Sequence, residues 1–123
     1  MNQTSFEKTY QFSEPLILDN IKSHQYLKIN LHQYETGNLA VGLVDQNDEE
    51  VIITTNLPIF ATFNQVIALN PDLFSTVANK QIGETLEHLN IVKADQLDAK
   101  SGMATYTAYE ISDDIANELA PFM

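Results

Sequence analysis

The first half of the chain alternates between apolar and polar residues in a way that predicts strands. In residues 26–34, every second position from Leu27 to Leu31 is a large aliphatic residue, which is typical of a half-buried strand. A polar turn follows, in which Gly37 can adopt a positive φ. Residues 39–44 then alternate again, so the two segments predict a β-hairpin.

Three further segments extend this prediction. The β-branched residues of 51–57 favour a third strand, which Pro58 ends, and sequential strands with short turns form an antiparallel meander. Residues 10–18 predict a short first strand, with Pro15 at a sheet edge because proline has no amide donor. Residues 65–69 form another short apolar strand candidate.

The second half of the chain contains residue patterns that predict helices. Asn70 and Pro71 are suited to the cap and first position of a helix that we expect to end near Ala78. Apolar residues at helical spacing predict a second helix over 81–90. Residues 93–102 are polar and predict a loop.

The C-terminal segment predicts one strand and one helix. Residues 103–111 alternate as a strand does, and Ser112 can cap a helix whose apolar stripe includes Ile115 and Leu119 and which ends at Pro121. The fold class predicted from these elements is α+β, a mostly antiparallel sheet with an N-terminal meander and two or three short helices packed on one face.

The length of 123 residues is typical of one domain, and no linker divides the chain. We therefore expect a single domain over 1–123, with residues 1–7 frayed. The N-terminus has no signal-peptide pattern, no apolar run is long enough to span a bilayer, and there is no cysteine. These features predict a cytoplasmic protein without disulfides.

The net charge of the chain is the feature that most restricts its possible partners. Seventeen acidic residues face six basic ones, all of them lysine, so the formal net charge is −11. Both halves of the chain share the excess, so it is not confined to a tail. Phosphate contacts need clustered Lys or Arg, and anionic membranes attract the same residues. The composition therefore disfavours nucleic acids and membranes as direct partners and favours basic proteins, although an acidic surface also simply aids solubility.

No pattern in the chain predicts catalysis. There is no Gly-x-Ser-x-Gly elbow, no glycine-rich phosphate loop and no His-Glu-x-x-His pair. Glu84 and His88 share a helical spacing, but an ordinary surface pair is the simpler interpretation. We expect no enzyme activity, no metal and no cofactor.

Two surfaces are candidates for binding. Carboxylates on a rigid scaffold can imitate a row of phosphates and occupy the nucleic-acid channel of a protein, and the alternative for such a cluster is a solvated turn. The predicted partner-binding residues are Asp45, Asp48, Glu49, Glu50, Asp113 and Asp114. The alternative is a small regulatory or ligand-binding domain that uses a sheet face around Tyr26, His32 and Tyr34.

Several short motifs carry a family resemblance: Leu31-His32-Gln33-Tyr34, Gly37-Asn38-Leu39-Ala40-Val41, Thr54-Thr55-Asn56-Leu57-Pro58 and Ser101-Gly102-Met103-Ala104-Thr105-Tyr106. With these, residues 26–111 resemble a family of short bacterial domains of unknown function carried on plasmids, conjugative elements and prophages of Gram-positive bacteria. The resemblance implies an accessory protein of mobile DNA and carries no catalytic residues. By analogy with small acidic anti-defence factors, the expected function is inhibition of a basic, nucleic-acid-handling host protein, of the anti-CRISPR or anti-restriction type.

Overall fold

The computed structural model describes residues 5–56 and 66–122. These residues form eight strands, two α-helices and a final 3-10 turn, whose bounds follow in chain order: β1 Lys8–Ile17, β2 Gln25–Gln33, β3 Leu39–Asp45, β4 Glu50–Ile52, β5 Thr54–Thr55, β6 Val66–Leu69, α1 Thr76–His88, β7 Val92–Ser101, β8 Ala104–Ile111, α2 Asp113–Leu119 and the 3-10 turn Ala120–Phe122. The protein is therefore α+β and mostly strand, as the sequence predicts, with two α-helices in the described residues. No helix there is long and apolar enough to cross a membrane.

The first four strands form the predicted meander. They pair antiparallel in the order β1-β2-β3-β4, and Gly37 adopts the expected positive φ of 96° in the turn between β2 and β3. Strand β1 lies at the edge, and its pairing is irregular between Gln11 and Leu16, which accommodates Pro15 where no ladder amide is needed. At ten residues, β1 is longer than the short strand expected.

The strand predicted over 51–57 is instead divided between two sheets. Strand β4 completes the first sheet, whereas β5 begins a second antiparallel sheet with the order β5-β6-β8-β7. Ile53 forms the corner: its amide donates to the Val41 carbonyl and its carbonyl accepts from the Asn70 amide. The prediction of one main sheet is wrong in this respect, because uniform β-branched composition carries no signal for a change of sheet. Residues 57 and 58 lie outside the described part.

A bulge in β2 changes which residues of the first hairpin are buried. Lys28 pairs with Val44 but Tyr26 pairs with Asp45, so Leu27 is the extra residue. Tyr26 therefore lies on the apolar face with Ile29, whereas Leu27 is 40% exposed. Simple alternation predicts the opposite for these two residues.

The helix predicted from Asn70 begins later. The Asn70 side chain accepts from the Asp72 amide and so holds a turn, and Ser75 is the true N-cap of α1 because its hydroxyl accepts from the Ala78 amide. The two predicted helices are one continuous α1, which ends where Asn90 adopts a left-handed conformation with φ 58°.

The predicted polar loop 93–102 is a strand. Most of β7 pairs with β8 in a hairpin closed by Gly102, which has a φ of 62°. The strand lies at a sheet edge and most of its residues are exposed, so its sequence lacks the apolar alternation that marks a half-buried strand.

One hydrophobic cluster joins both sheets and both helices. Its largest fully buried side chains come from every layer and include Ile29, Leu43, Ile67, Leu86 and Leu119. The predicted Ser112 cap is confirmed, since its hydroxyl accepts from the Ile115 amide. Phe6, within the segment expected to be frayed, is 4% exposed and packs edge-on against Phe122.

Candidate functional site

The turn between β3 and β4, residues 45–50, is called here the acidic turn, and Asp45 shapes it. One carboxylate oxygen of Asp45 accepts from the Asn47 amide at 2.8 Å and from the Glu49 amide at 3.0 Å. Asp48 has a left-handed φ of 62°, which aspartate tolerates better than most residues. The carboxylate therefore fixes the backbone of the turn that displays its acidic neighbours.

Asp45 is not itself displayed on the surface. Its side chain is 7% exposed, and its second oxygen lies 3.0 Å from Nε2 of His24. Hydrogen bonds from the Glu49 amide, aided by those from Asn47 and His24, hold the pKa of Asp45 below its ordinary value, against the opposing effect of burial. Of the four acids predicted to contact a partner in this turn, Asp45 acts as its internal support.

The next two acids are free to meet a partner. The side chain of Asp48 is 87% exposed, and its carboxylate lies 3.7 Å from the Lys28 ammonium, a loose surface pair. Glu49 is exposed, and within the described residues its carboxylate has no hydrogen-bond or ion-pair partner. These two adjacent residues carry the accessible charge of the acidic turn.

Glu50 lies across the outer face of the first sheet. Its carboxylate accepts from Asn30 at 2.7 Å and lies 2.9 Å from Nε2 of His32, two strands away. Gly42 lies beneath it, and a β-carbon there would come within 2.6 Å of the Glu50 carboxylate. Burial raises the pKa of Glu50, but the contacts with His32 and Asn30 together lower it below its ordinary value. The residue is held in place by the sheet and is only partly exposed.

Asp113 and Asp114 lie in a different part of the molecule. They begin α2, where Asp113 is 3.3 Å from the Lys93 ammonium and Asp114 accepts from the Asn90 side chain at 2.8 Å. Asn90 follows the end of α1, whereas the acidic turn lies near its start. Thirteen helical residues span about 20 Å. The structure therefore does not bring the six predicted acids together on one patch.

The three residues of the alternative ligand site also separate. Tyr26 is buried on the apolar side of β2, whereas His32 lies on the outer face against Glu50. The Tyr34 hydroxyl donates to the Thr54 carbonyl at 3.2 Å. The surface contains a cleft beside Tyr26, but its lining includes neither His32 nor Tyr34.

This cleft, called here the aromatic cleft, lies between the acidic turn and the segment that precedes α1. Its volume is about 350 Å³, and its lining is His24, Tyr26, Asp45, Glu49, Glu50, Val51, Leu73 and Phe74. A second chamber of about 240 Å³ shares four of these residues and continues towards Ile21. Tyr26 meets Phe74 edge-on at 6.3 Å and packs against His24 at 4.6 Å between ring centroids. The site thus combines aromatic walls with a carboxylate rim.

The sequence predicts four of the eight residues that line this cleft as binding residues: Tyr26, Asp45, Glu49 and Glu50. It does not predict His24, Val51, Leu73 or Phe74 there, and the last two fall in a segment predicted to be helical. The hairpin register does hold a signal for His24, because it brings the start of β2 beside the end of β3. Leu73 and Phe74 reach the cleft because α1 begins after Ser75, and the N-cap preference of Ser75 competes in the sequence with that of Asn70.

The acidic turn makes a prediction about pH. The native pKa of Asp45 is below its ordinary value of 3.8, so its contribution to stability is present above that value and is lost as pH falls through the native pKa. We expect the Asp45→Asn variant to lose less of its free energy of unfolding between neutral pH and about pH 3 than the unmodified protein does. Urea unfolding at a series of pH values measures this.

Asp48→Asn is the matched control, because it removes an exposed carboxylate from the same turn. It should keep the acid dependence of the unmodified protein. If Asp45→Asn and Asp48→Asn gave the same pH profile as the unmodified protein, Asp45 would not be the acid-sensitive support of this turn.

Within residues 5–56 and 66–122, no three His, Asp or Glu side chains group closely enough to hold a metal ion. Comparison of the chain with models of protein families, with curated proteins and with solved structures gives no match.

Proposed function

We propose that this protein is a non-catalytic binding module that engages a basic, nucleic-acid-handling protein through its acidic turn. The observation that carries the proposal is the display of Asp48 and Glu49 on a turn whose backbone Asp45 fixes from within. Charges held on a fixed backbone present a partner with one geometry, so little ordering is needed on binding.

The charge of the whole chain supports the same partner class. The net charge is −11, and three of the six lysines are already within ion-pair distance of a carboxylate: Lys8, Lys28 and Lys93. The field around the molecule is therefore strongly negative, which speeds encounter with basic surfaces and opposes encounter with phosphates. Proteins that handle nucleic acids carry such basic surfaces.

The biological setting belongs to the proposal as well. The resemblance of residues 26–111 to accessory domains of mobile DNA suggests a cytoplasmic inhibitor of host defence, of the anti-CRISPR or anti-restriction type. In that role the acidic turn occupies a channel that otherwise receives phosphates. Asp113 and Asp114, which lie near the opposite end of α1, are a second contact for a partner large enough to span the length of this helix, about 20 Å.

The test is capture of a partner by immobilised protein from a Gram-positive host lysate, with identification by mass spectrometry at low and high salt. The double variant Asp48→Lys/Glu49→Lys should weaken retention of a basic nucleic-acid-handling protein at least about tenfold, because attractive contacts become repulsive. High salt should release the partner from the unmodified protein, since exposed charges are screened.

Asp95→Lys/Asp98→Lys provides the control. It changes the net charge by the same amount, but both residues are exposed on β7 at the edge of the other sheet. Asp45 and Glu50 are left unchanged because their contacts support the fold. Equal losses in the two double variants would show that only net charge matters, and retention unaffected by either would exclude the acidic turn as the contact.

A further inference from the structure

The aromatic cleft is a concave site immediately beside the acidic turn. Its 350 Å³ chamber lies at the lower end of the roughly 300–1,000 Å³ usual for ligand sites. Phe74, which is half-buried, and His24, whose side chain is 49% exposed, supply the accessible ring surfaces, and the buried Tyr26 ring lies against both. Glu49 is one of the lining residues, and its carboxylate has no partner among the described residues.

Apolar residues continue away from the rim. Leu73 is 42% exposed and Ile21 is 54% exposed, although both are large aliphatic side chains. They line the adjoining chamber, which shares His24, Tyr26 and Phe74 with the first. An occupant of this site therefore meets an apolar floor at one end and carboxylates at the other.

A cationic side chain with an aliphatic stem fits both ends. The stem packs on Leu73 and Phe74, and the charged head lies between the aromatic rings and the Glu49 carboxylate. Arginine fits better than lysine, because its planar guanidinium stacks on aromatic rings and donates two parallel hydrogen bonds to a carboxylate. The negative potential of the acidic turn adds to the attraction.

Positive charges near the cleft do not outweigh its preference for a cationic side chain. The start of α1, at Ser75, brings the positive end of a helix dipole to the adjoining chamber. Asp19 lies against it, and its carboxylate accepts from the Ser75 hydroxyl at 2.5 Å. The 3.7 Å pair of Lys28 with Asp48 leaves Glu49 unpaired.

We propose that the aromatic cleft receives an arginine side chain of the basic partner, which packs against the Phe74 ring and pairs with Glu49. This inference deepens the proposed function and rests on it for the identity of the partner. The acidic turn then supplies long-range attraction, and the cleft supplies the specific anchor that buried arginines provide in protein interfaces.

The experiment uses short peptides, so that it does not depend on finding the partner. Isotope-labelled protein is titrated with acetyl-Gly-Arg-Gly-amide and with the same peptide containing citrulline, which has nearly the same shape without the charge. The arginine peptide should shift the amide resonances of residues 24–26, 45–50 and 73–75, with a dissociation constant on the order of 1 mM. The citrulline peptide should cause much smaller shifts.

Two variants locate the contact. Glu49→Gln and Phe74→Leu should each weaken binding of the arginine peptide by about threefold or more, whereas Asp98→Asn, on exposed β7, should leave it unchanged. Amide spectra of the variants establish that each is folded. Absence of shifts at the cleft, or equal shifts with the citrulline peptide, would overturn the inference.

The outcome is separable from that of the proposed function. If the arginine peptide bound at the cleft but no basic partner were captured from lysate, the inference about the cleft would stand and the proposed function would be rejected. A partner captured equally by the unmodified protein and the Phe74→Leu variant, with no peptide shifts, would reject the cleft alone.

Discussion

Replacing Ile53 with alanine should lower the free energy of unfolding by about 2–5 kcal/mol, which is a large share of the roughly 5–15 kcal/mol available to a domain. Ile53 is 1% exposed and belongs to the shared core, at the corner where the chain leaves the first sheet for the second. Its backbone is held on both sides, by Val41 and by Asn70, so the cavity cannot close by a simple shift of the chain. Urea unfolding followed by circular dichroism measures the loss.

The neighbouring residue is the control for this prediction. Ile52 has the same side chain but is 37% exposed on the opposite face. Ile52→Ala should lower the free energy of unfolding by about 1 kcal/mol or less, because the side chain is partly exposed and no buried cavity forms. Similar effects at both positions would contradict the assignment of Ile53 to the core corner.

Gly83→Ala should also destabilise the protein, although alanine is the better helix former. A β-carbon at residue 83 would meet the hydroxyl of Tyr109 and come within 2.5 Å of the ring carbon that bears it. Tyr109 is 6% exposed, so its ring has little room to move. Overpacking costs about 1–3 kcal/mol, and so close an approach lies in the upper part of that range. Because the gain in helix propensity is roughly 1 kcal/mol, we expect a net loss of about 1–2 kcal/mol.

The Tyr109→Leu background separates these two effects. The shorter side chain ends before the clash, so Gly83→Ala in that background should be neutral or stabilising by up to about 1 kcal/mol. Thermal or urea unfolding of the four proteins in this cycle gives the coupling. If Gly83→Ala were equally destabilising in both backgrounds, close contact with Tyr109 would not be its cause.

The sequence predicts the elements with strong local patterns. The β2–β3 hairpin follows from alternation and Gly37, and the start of α2 follows from Ser112 and the acids after it. The prediction fails where tertiary pairing decides the structure. Strand β7 is polar because it is an exposed edge, and its pairing with β8 does not depend on an apolar face.

The candidate site was predictable only in its charge. Asp48 and Glu49 could be recognised as an acidic turn from the sequence, but the burial of Asp45 depends on tertiary packing, including its contact with His24, which precedes β2. The aromatic cleft depends on two backbone details, the bulge at Leu27 that turns Tyr26 inward and the late start of α1 that frees Phe74. The bulge has no strong local signature, and the N-cap signal of Ser75 competes with that of Asn70.

If the acidic turn takes the place of nucleic acid on a basic partner, as we propose, the two must compete for one site. Binding of a fluorescent duplex or guide nucleic acid to the purified captured partner is measured by anisotropy while this protein is added. The unmodified protein and Asp95→Lys/Asp98→Lys should displace the nucleic acid, whereas Asp48→Lys/Glu49→Lys should not. A stable ternary complex, with the nucleic acid still bound at saturating protein, would contradict it.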